Sequence, residues 1–350
     1  IKAFIGEFCA QNKKANMHND AFRKEKMAQK ITVSIIIPVY NESKYIIRCL
    51  DSVKRQTFPA ENTELLIIDG NSTDDTVSKI RNYTGIDNLR ILINEKRLVT
   101  YALNIGIDNA RGEYVIRMDA HAEYADDYVE KCVYYLEHTD ADNVGGTAET
   151  RGISFAGQAN AELLSSKFGV GNSDFRTGGK SGYVDTVPFG AFRRTVFSKI
   201  GYFDPELPRS EDNDYNSRIR AAGGKVYLAS DIHFTYYCRD TAGGLLDQGI
   251  KNGNALFLTL RKNPRAMSLR HYIPFLFVLS HIVMPVLCAF FHPAVWLYAA
   301  EWIAYLLLDA IFSLSRGSLK RSLYKFVMYP LFHISYGIGS LIGMFGIKLY

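Results

Sequence analysis

The chain has 350 residues, of which 47% are hydrophobic and 22% charged, with 27 Gly and 10 Pro. That is too long for a disulfide-stapled miniprotein and too apolar for a disordered tail; it holds an enzyme domain and about 100 residues more. The net charge of +5 carries no block of five or six basic residues, which argues against nucleic-acid binding, and the five cysteines form no C-x-x-C pair, which fits a reducing compartment.

Residues 1–30 are polar, carry seven Lys and Arg, and read as an N-terminal extension without a signal peptide. From residue 31 strands and helices alternate. Val33–Val39 is a continuous apolar run, as expected for a strand buried on both faces, and Ser43 could cap the helix after it. A strand at 64–68 ends at Asp69-Gly70, and Ser72–Asp75 opens a second helix. A strand at 89–93 precedes a helix over 98–110. A strand at 113–118 ends at Asp119 and leads to a helix over 125–138. This alternation predicts right-handed crossovers and a mostly parallel α/β sheet. Ligands of such sheets bind beyond the carboxyl ends of the strands. Tyr40-Asn41-Glu42, Asp69-Gly70-Asn71 and Asp119-Ala120-His121 all fall there. No G-x-G-x-x-G or P-loop pattern is present.

From about Tyr272 onward the chain turns very apolar. Stretches at 272–291, 294–314 and 326–347 each have the roughly 20 residues needed to cross a hydrocarbon core of ~30 Å. Basic residues flank the first (Arg261, Lys262, Arg265, Arg270) and separate the second from the third (Arg316, Lys320, Arg321, Lys325). The positive-inside pattern predicts three spans, with residues 1–270 and the 315–325 loop cytoplasmic and Tyr350 outside. A hairpin dipping into one leaflet is the alternative, because the joint at His292-Pro293 is short. Gly339 and Gly343 are spaced as a helix-packing face. The expected division is an extension over 1–30, an α/β domain over 31–255 and a membrane-associated helical region over 256–350.

Five motifs in order then carry a resemblance: Pro38-Val39-Tyr40-Asn41-Glu42, Ile68–Thr76, Ala102–Gly112, Asp119-Ala120-His121 and Ser210-Glu211-Asp212. Over about 31–255 the sequence resembles glycosyltransferase family 2, and Arg117–Tyr124 is similar to the subgroup that builds bacterial exopolysaccharides such as succinoglycan. The resemblance implies a GT-A nucleotide-sugar-binding fold and inverting transfer from a UDP-sugar, with UDP-glucose the donor expected from that subgroup, to a lipid-linked polyprenyl saccharide. It implies a bacterial inner membrane with the catalytic domain cytoplasmic. It also implies that Pro38, Tyr40, Glu42, Asp69, Arg97 and Asp119 bind the donor, that Asp212 is the catalytic base and that Glu211 assists it.

Where relatives carry D-x-D this chain has D-x-H, so His121 and Asp119 are the expected ligands of a divalent metal, Mn2+ or Mg2+. Imidazole is softer than carboxylate and tilts preference toward Mn2+. His233 is a further candidate ligand. Gln248-Gly-Ile-Lys251 matches only part of the Q-x-x-R-W of processive relatives, which argues against a polymerase. Two other readings stand beside this one: a polyprenyl-phosphate sugar synthase, whose anionic acceptor needs no base, and a non-catalytic nucleotide-sugar-binding membrane scaffold, which would not need the Glu211–Asp214 cluster.

Overall fold

The computed structural model describes residues 31–207 and 209–349; the expected N-terminal extension lies outside them. In chain order the elements are β1 Val33–Val39, α1 Ile46–Lys54, β2 Thr63–Asp69, α2 Thr76–Arg81, β3 Leu89–Ile93, α3 Val99–Asn109, β4 Tyr114–Arg117, β5 Ala122–Tyr124 and α4 Tyr128–His138. There follow β6 Asn143–Arg151, α5 Phe155–Leu164, the short helices α6 Lys167–Val170 and α7 Asp174–Thr177, β7 Gly182–Tyr183, β8 Ala191–Arg193, α8 Thr195–Ile200, α9 Glu211–Ala221 and β9 Val226–Tyr237. Four long helices close the chain: α10 Ala242–Lys262, α11 Ile273–Phe290, α12 Ala294–Leu314 and α13 Leu319–Met344.

One sheet runs β3-β2-β1-β4-β8-β6-β9-β5, with β7 on β9. Its longest ladders, β1 on β2 and β6 on β9, are parallel, while β5, β7 and β8 add short antiparallel pairs. Successive side chains of a strand face opposite sides. Ile35 and Ile37 of β1 therefore enter a core with Ile46 and Leu50 of α1 and Leu136 of α4. Ile36 joins Leu66, Ile68, Leu103 of α3, Phe192 and Tyr215 in the core on the other face. Burying each such side chain contributes about 1.5–3 kcal/mol. At Gly106 of α3 a Cβ would stand 2.5 Å from Ile36, so the glycine lets the helix lie directly on β1.

The first four strands and helices lie where the sequence pattern puts them. Ser43 does not cap α1: Tyr45 holds the N-cap position without a side-chain bond, and the Ser43 amide donates to Asp74. The expected boundary at 255 falls inside α10, a continuous helix from 242 to 262.

Among the described residues three helices are long and apolar enough to cross a membrane. The windows of α11 and α12 are only 11% buried, against 50% for α13. The third helix begins at Leu319, so most of the expected 315–325 loop is helical. Its first turns dock on the catalytic side: Arg321 and the buried Lys325 both pair with Glu162 of α5 at 2.7 Å. Its later turns lie against α10. A Cβ on Gly339 would meet the Ile250 carbonyl at 2.0 Å, and one on Gly343 the Asn254 carbonyl at 2.3 Å, so this spacing does form a packing face. Arg261 Nη2 donates to Met344 O at 2.7 Å and Asn254 Nδ2 to Ile347 O at 2.9 Å. The end of α13 thus lies beside α10.

Candidate active site

A cleft of about 500 Å3 opens at the carboxyl ends of β1 and β4 and is closed on the far side by the start of α9 and by α10. Pro38, Tyr40, Glu42, Arg97, Asp119, His121, Glu211 and Asp212 line it. Asp69 does not. It is buried, and its Oδ1 accepts from Ser72 Oγ at 2.6 Å, so it holds the loop after β2 beneath the cleft. That loop is tied to the loop after β1: the Asn41 amide donates to Ser72 Oγ at 3.0 Å, the Thr73 amide to Asn41 Oδ1 at 2.8 Å and the Glu42 amide to Thr76 Oγ1 at 2.8 Å.

Among the described residues five non-glycine residues adopt positive φ, namely Asn41 (55°), Asn71 (64°), Arg97 (61°), Phe189 (63°) and Ser210 (63°). Each lines the cleft or sits in a loop that does. The left-handed region is costly for residues with a Cβ and persists where surrounding bonds enforce it. Arg97 lies with its guanidinium carbon 5.6 Å from the Tyr40 ring, leaving a cationic edge and an aromatic face at the β1 end.

At the centre stands Arg117, the last residue of β4. It is 5% exposed and pairs through Nη1 with Asp212 Oδ1 at 2.8 Å and Glu211 Oε1 at 2.9 Å, and through Nη2 with Asp119 Oδ1 at 3.4 Å. One cation therefore serves three carboxylates. Burial pushes the Asp212 carboxyl up to about 7; Arg117 opposes this, and Glu211 and Asp119 add to it. A base near neutrality is well matched to removing a proton from a hydroxyl.

The three acids at the start of α9 do not share one task. Glu211 and Asp212 face the cleft, whereas Asp214 is buried, accepting from Arg218 Nε at 3.0 Å and Asn263 Nδ2 at 2.9 Å. Asp204 accepts from the Glu206 amide in a turn and stays out of the cleft.

His121 presents Nδ1 to Glu42 Oε1 at 3.3 Å, with its ring edge-on to Tyr236 at 5.1 Å. Burial pulls the imidazole down, but the Glu42 hydrogen bond and nearby Asp119 outweigh it, and it stands at about 10. At that value both ring nitrogens carry a proton, so a cation would take Nε2 by displacing its proton, while Glu42 holds the Nδ1–H and fixes the ring. Asp119 and His121 therefore fit as a two-residue ligand pair. Among the described residues no three His, Cys, Asp or Glu side chains gather into a metal cage. His233 lies elsewhere: its Nδ1 is 2.9 Å from Thr147 Oγ1, and it lines a second cavity.

The sequence reading passed over Arg117, whose signal was a lone charge inside the apolar strand Tyr114–Arg117, two residues before Asp119. A buried arginine there requires carboxylates around it. It also passed over Tyr236, Arg176 and Arg209, which line the cleft but belong to no motif.

The family model for Glycosyl transferase family 2 matches residues 34–201. The dolichyl N-acetyl-alpha-D-glucosaminyl phosphate 3-beta-D-2,3-diacetamido-2,3-dideoxy-beta-D-glucuronosyltransferase of Methanococcus voltae is 30% identical over 269 residues, 74% of this chain and 84% of that protein. The succinoglycan biosynthesis protein ExoA of Rhizobium meliloti is 30% identical over 244 residues, covering 69% of this chain and 73% of its own. Among solved structures, the mannosyltransferase PcManGT from Pyrobaculum calidifontis, in complex with GDP-Man and Mn2+, superposes with a TM-score of 0.62 at 19% identity, over 88% of this chain and 86% of that one. This last likeness is one of fold, GT-A. With two relatives matched over most of their length, the chain belongs to glycosyltransferase family 2 and is a glycosyltransferase.

Proposed function

We propose that the protein moves one sugar, with inversion, from a nucleoside diphosphate donor to a hydroxyl of a lipid-linked saccharide during surface polysaccharide assembly. UDP-glucose is the first donor to test. The observation that carries the reading is Asp212, a carboxylate poised near 7 in a cleft whose other end offers Tyr40 and Arg97 to a nucleoside. In this reading Asp212 takes the acceptor proton, Glu211 and Arg117 position it, and Pro38, Tyr40, Glu42, Arg97 and Asp119 hold the donor. Asp69 acts indirectly, through the loop it holds. The names of the Methanococcus and Rhizobium relatives support a saccharide-building role.

Asp119 and His121 would hold a divalent cation, Mn2+ before Mg2+, through one carboxylate oxygen donor and His121 Nε2. Such a cation supplies charge neutralisation for a departing diphosphate. A base near 7 favours a hydroxyl acceptor over the phosphate acceptor of a polyprenyl-phosphate sugar synthase, which has no proton to lose.

The catalytic unit in this reading runs from residue 31 through α10, to 262. The membrane part begins beyond it. We read α11 and α12 as a hairpin inserted from the cytoplasmic side of a bacterial inner membrane, with α13 lying against the catalytic unit. The low burial of the first two helices and the exposed Phe290 and Trp296 beside their joint support this. The deciding assay is a donor panel read by nucleoside diphosphate release, with membrane extract as acceptor. Release from one donor only when extract is present is expected. No release from any donor would refute transfer.

A further inference from the structure

The cleft has a second charged end that the residues above do not use. Arg176, Arg209 and Arg239 line it beside α10, and among the described residues none of them forms an ion pair. Arg209 is partly buried, and its Nη1 donates to Asn252 Oδ1 at 2.8 Å. Arg176 lies over Tyr236 at 5.0 Å and Phe175 at 5.3 Å, with one long contact, Nη1 to Thr150 Oγ1 at 3.4 Å. Burial, with the Arg239 guanidinium nearby, pulls Arg209 below the ordinary guanidinium value, against the opposing pull of Glu211. Arg117 in the same cleft has three carboxylates, and these three arginines have none.

The geometry points to an anion subsite at the α10 end of the cleft, in which Arg176, Arg209 and Arg239 hold the phosphate of a prenyl-linked acceptor. This deepens the proposed function and rests on it. Three lines of geometry favour an acceptor phosphate over the donor's. Arg209 is tied to α10 through Asn252, whereas Arg97 stacks on Tyr40 beyond β1. Arg176, with Ala148 and Phe175, is also a shared wall between the cleft and the second cavity, of about 640 Å3. That cavity is walled on its far side by Arg316 and Arg321, at the joint of the apolar helices α12 and α13, so a headgroup reaches the arginines from the lipid side. Finally, Gln248 lines the same end one turn before Asn252, and its Oε1 is buried without a partner, free to accept from a sugar hydroxyl beside the phosphate. Guanidinium groups suit this ligand because they bind phosphate oxygens through paired, charge-assisted hydrogen bonds.

The test uses the full chain in detergent, with UDP and Mn2+ saturating (GDP where UDP does not bind). Farnesyl diphosphate is the probe, with farnesol and inorganic pyrophosphate as controls. Farnesyl diphosphate is expected to bind alongside the nucleotide. The double variant Arg176→Gln, Arg239→Gln is expected to bind it at least tenfold more weakly, with nucleotide affinity changed less than twofold. Lys at both positions should restore part of the loss, and matched thermal melts check folding. Mutual displacement of farnesyl diphosphate and nucleotide would assign the arginines to the donor and overturn the proposal. So would equal binding of farnesol, which would make the affinity that of the prenyl chain, or pyrophosphate binding as tight as the prenyl ester, which would make it a free-phosphate site. The donor panel tests transfer separately: a protein that turns over no donor yet binds farnesyl diphosphate through these arginines would sink the transferase reading and leave the subsite standing.

Discussion

Replacing Glu211 by Gln removes one carboxylate from the trio around Arg117 and leaves Asp212 in place. The nearest Glu211 and Asp212 oxygens both lie within 2.9 Å of the same Arg117 nitrogen, so they are no more than about 6 Å apart. Two unit charges at that separation repel by roughly 2.8 kcal/mol at an effective dielectric of 20 and by about 0.7 kcal/mol at 80. The two side chains are 12% and 25% exposed, so the effective value falls between these limits. At about 1.4 kcal/mol per unit, the Asp212 carboxyl is expected to drop by about 0.5–2 pKa units. The sign follows from the chemistry. A neighbouring negative charge disfavours ionisation, so its removal makes Asp212 a stronger acid. Transfer needs the carboxylate and therefore rises with pH through a midpoint near 7 in the parent. In Glu211→Gln the acid limb of kcat/KM should move down to a midpoint of about 5–6.5, whatever happens to the plateau. The assay is nucleoside diphosphate release from about pH 5 to pH 9 at fixed Mn2+, with the parent alongside. A limb that stays in place, or moves up, would refute both the coupling and the assignment of Asp212 as the titrating base.

Asp212→Asn should cut transfer by roughly 10²–10⁴-fold while donor affinity stays within about twofold; turnover within tenfold of the parent would sink the base assignment. Arg117→Gln leaves three carboxylates without their cation, and breaking such buried pairs costs about 3–5 kcal/mol, so a markedly lower Tm is expected in thermal unfolding. Chelation should stop turnover and Mn2+ should restore it better than Mg2+, with His121→Asp reversing that order; undiminished activity in excess EDTA contradicts the pair Asp119 and His121. For topology, a cysteine replacing Trp296 near the hairpin joint should react with an impermeant reagent in intact spheroplasts, while one replacing Lys348 should stay protected until lysis. Labelling at both positions would restore three spans, and protection at both would favour a hairpin that only dips into one leaflet.

The first four strands were legible because each is an apolar run between turn residues, and β1 is buried along nearly all its length. The rim of strand ends followed from the crossover rule alone, and Tyr40, Glu42, Asp119 and His121 do meet there. The second half was harder because β5, β7 and β8 have three, two and three residues, too few to show a period of two. Asp69 is expected to bind the donor from the resemblance; its hydrogen bonds to Ser72 are a tertiary fact with no signature in spacing. The third apolar stretch is long and apolar enough to span, as expected, yet differs from the other two in its burial. Apolarity measures burial without naming the solvent, and half of α13 is buried against protein. The glycines at 339 and 343 carried the missing information, since they mark a helix meant for another backbone.

The charge in the cleft is ordered along its length, and the order constrains what enters. Arg97 stands at the β1 end, the carboxylates Asp119, Glu211 and Asp212 crowd around one arginine in the middle, and three arginines without ion pairs stand at the α10 end. A nucleoside diphosphate entering from the β1 end meets a centre in which three acids share a single cation. Its own negative charge then faces like charge in a partly desolvated space, where such repulsion is poorly screened. Three features reduce that repulsion: Arg97 at the entrance, an Asp212 that is about half protonated near neutrality, and a divalent cation at Asp119 and His121. When Asp212 takes the acceptor proton, the charge it gives up appears on the acceptor oxygen and passes to the departing diphosphate as the new bond forms, so the step moves negative charge away from Asp212 without changing the total. The raised Asp212 and the acidic centre are therefore one device, and a substitution that calms the centre, such as Glu211→Gln, also weakens the base.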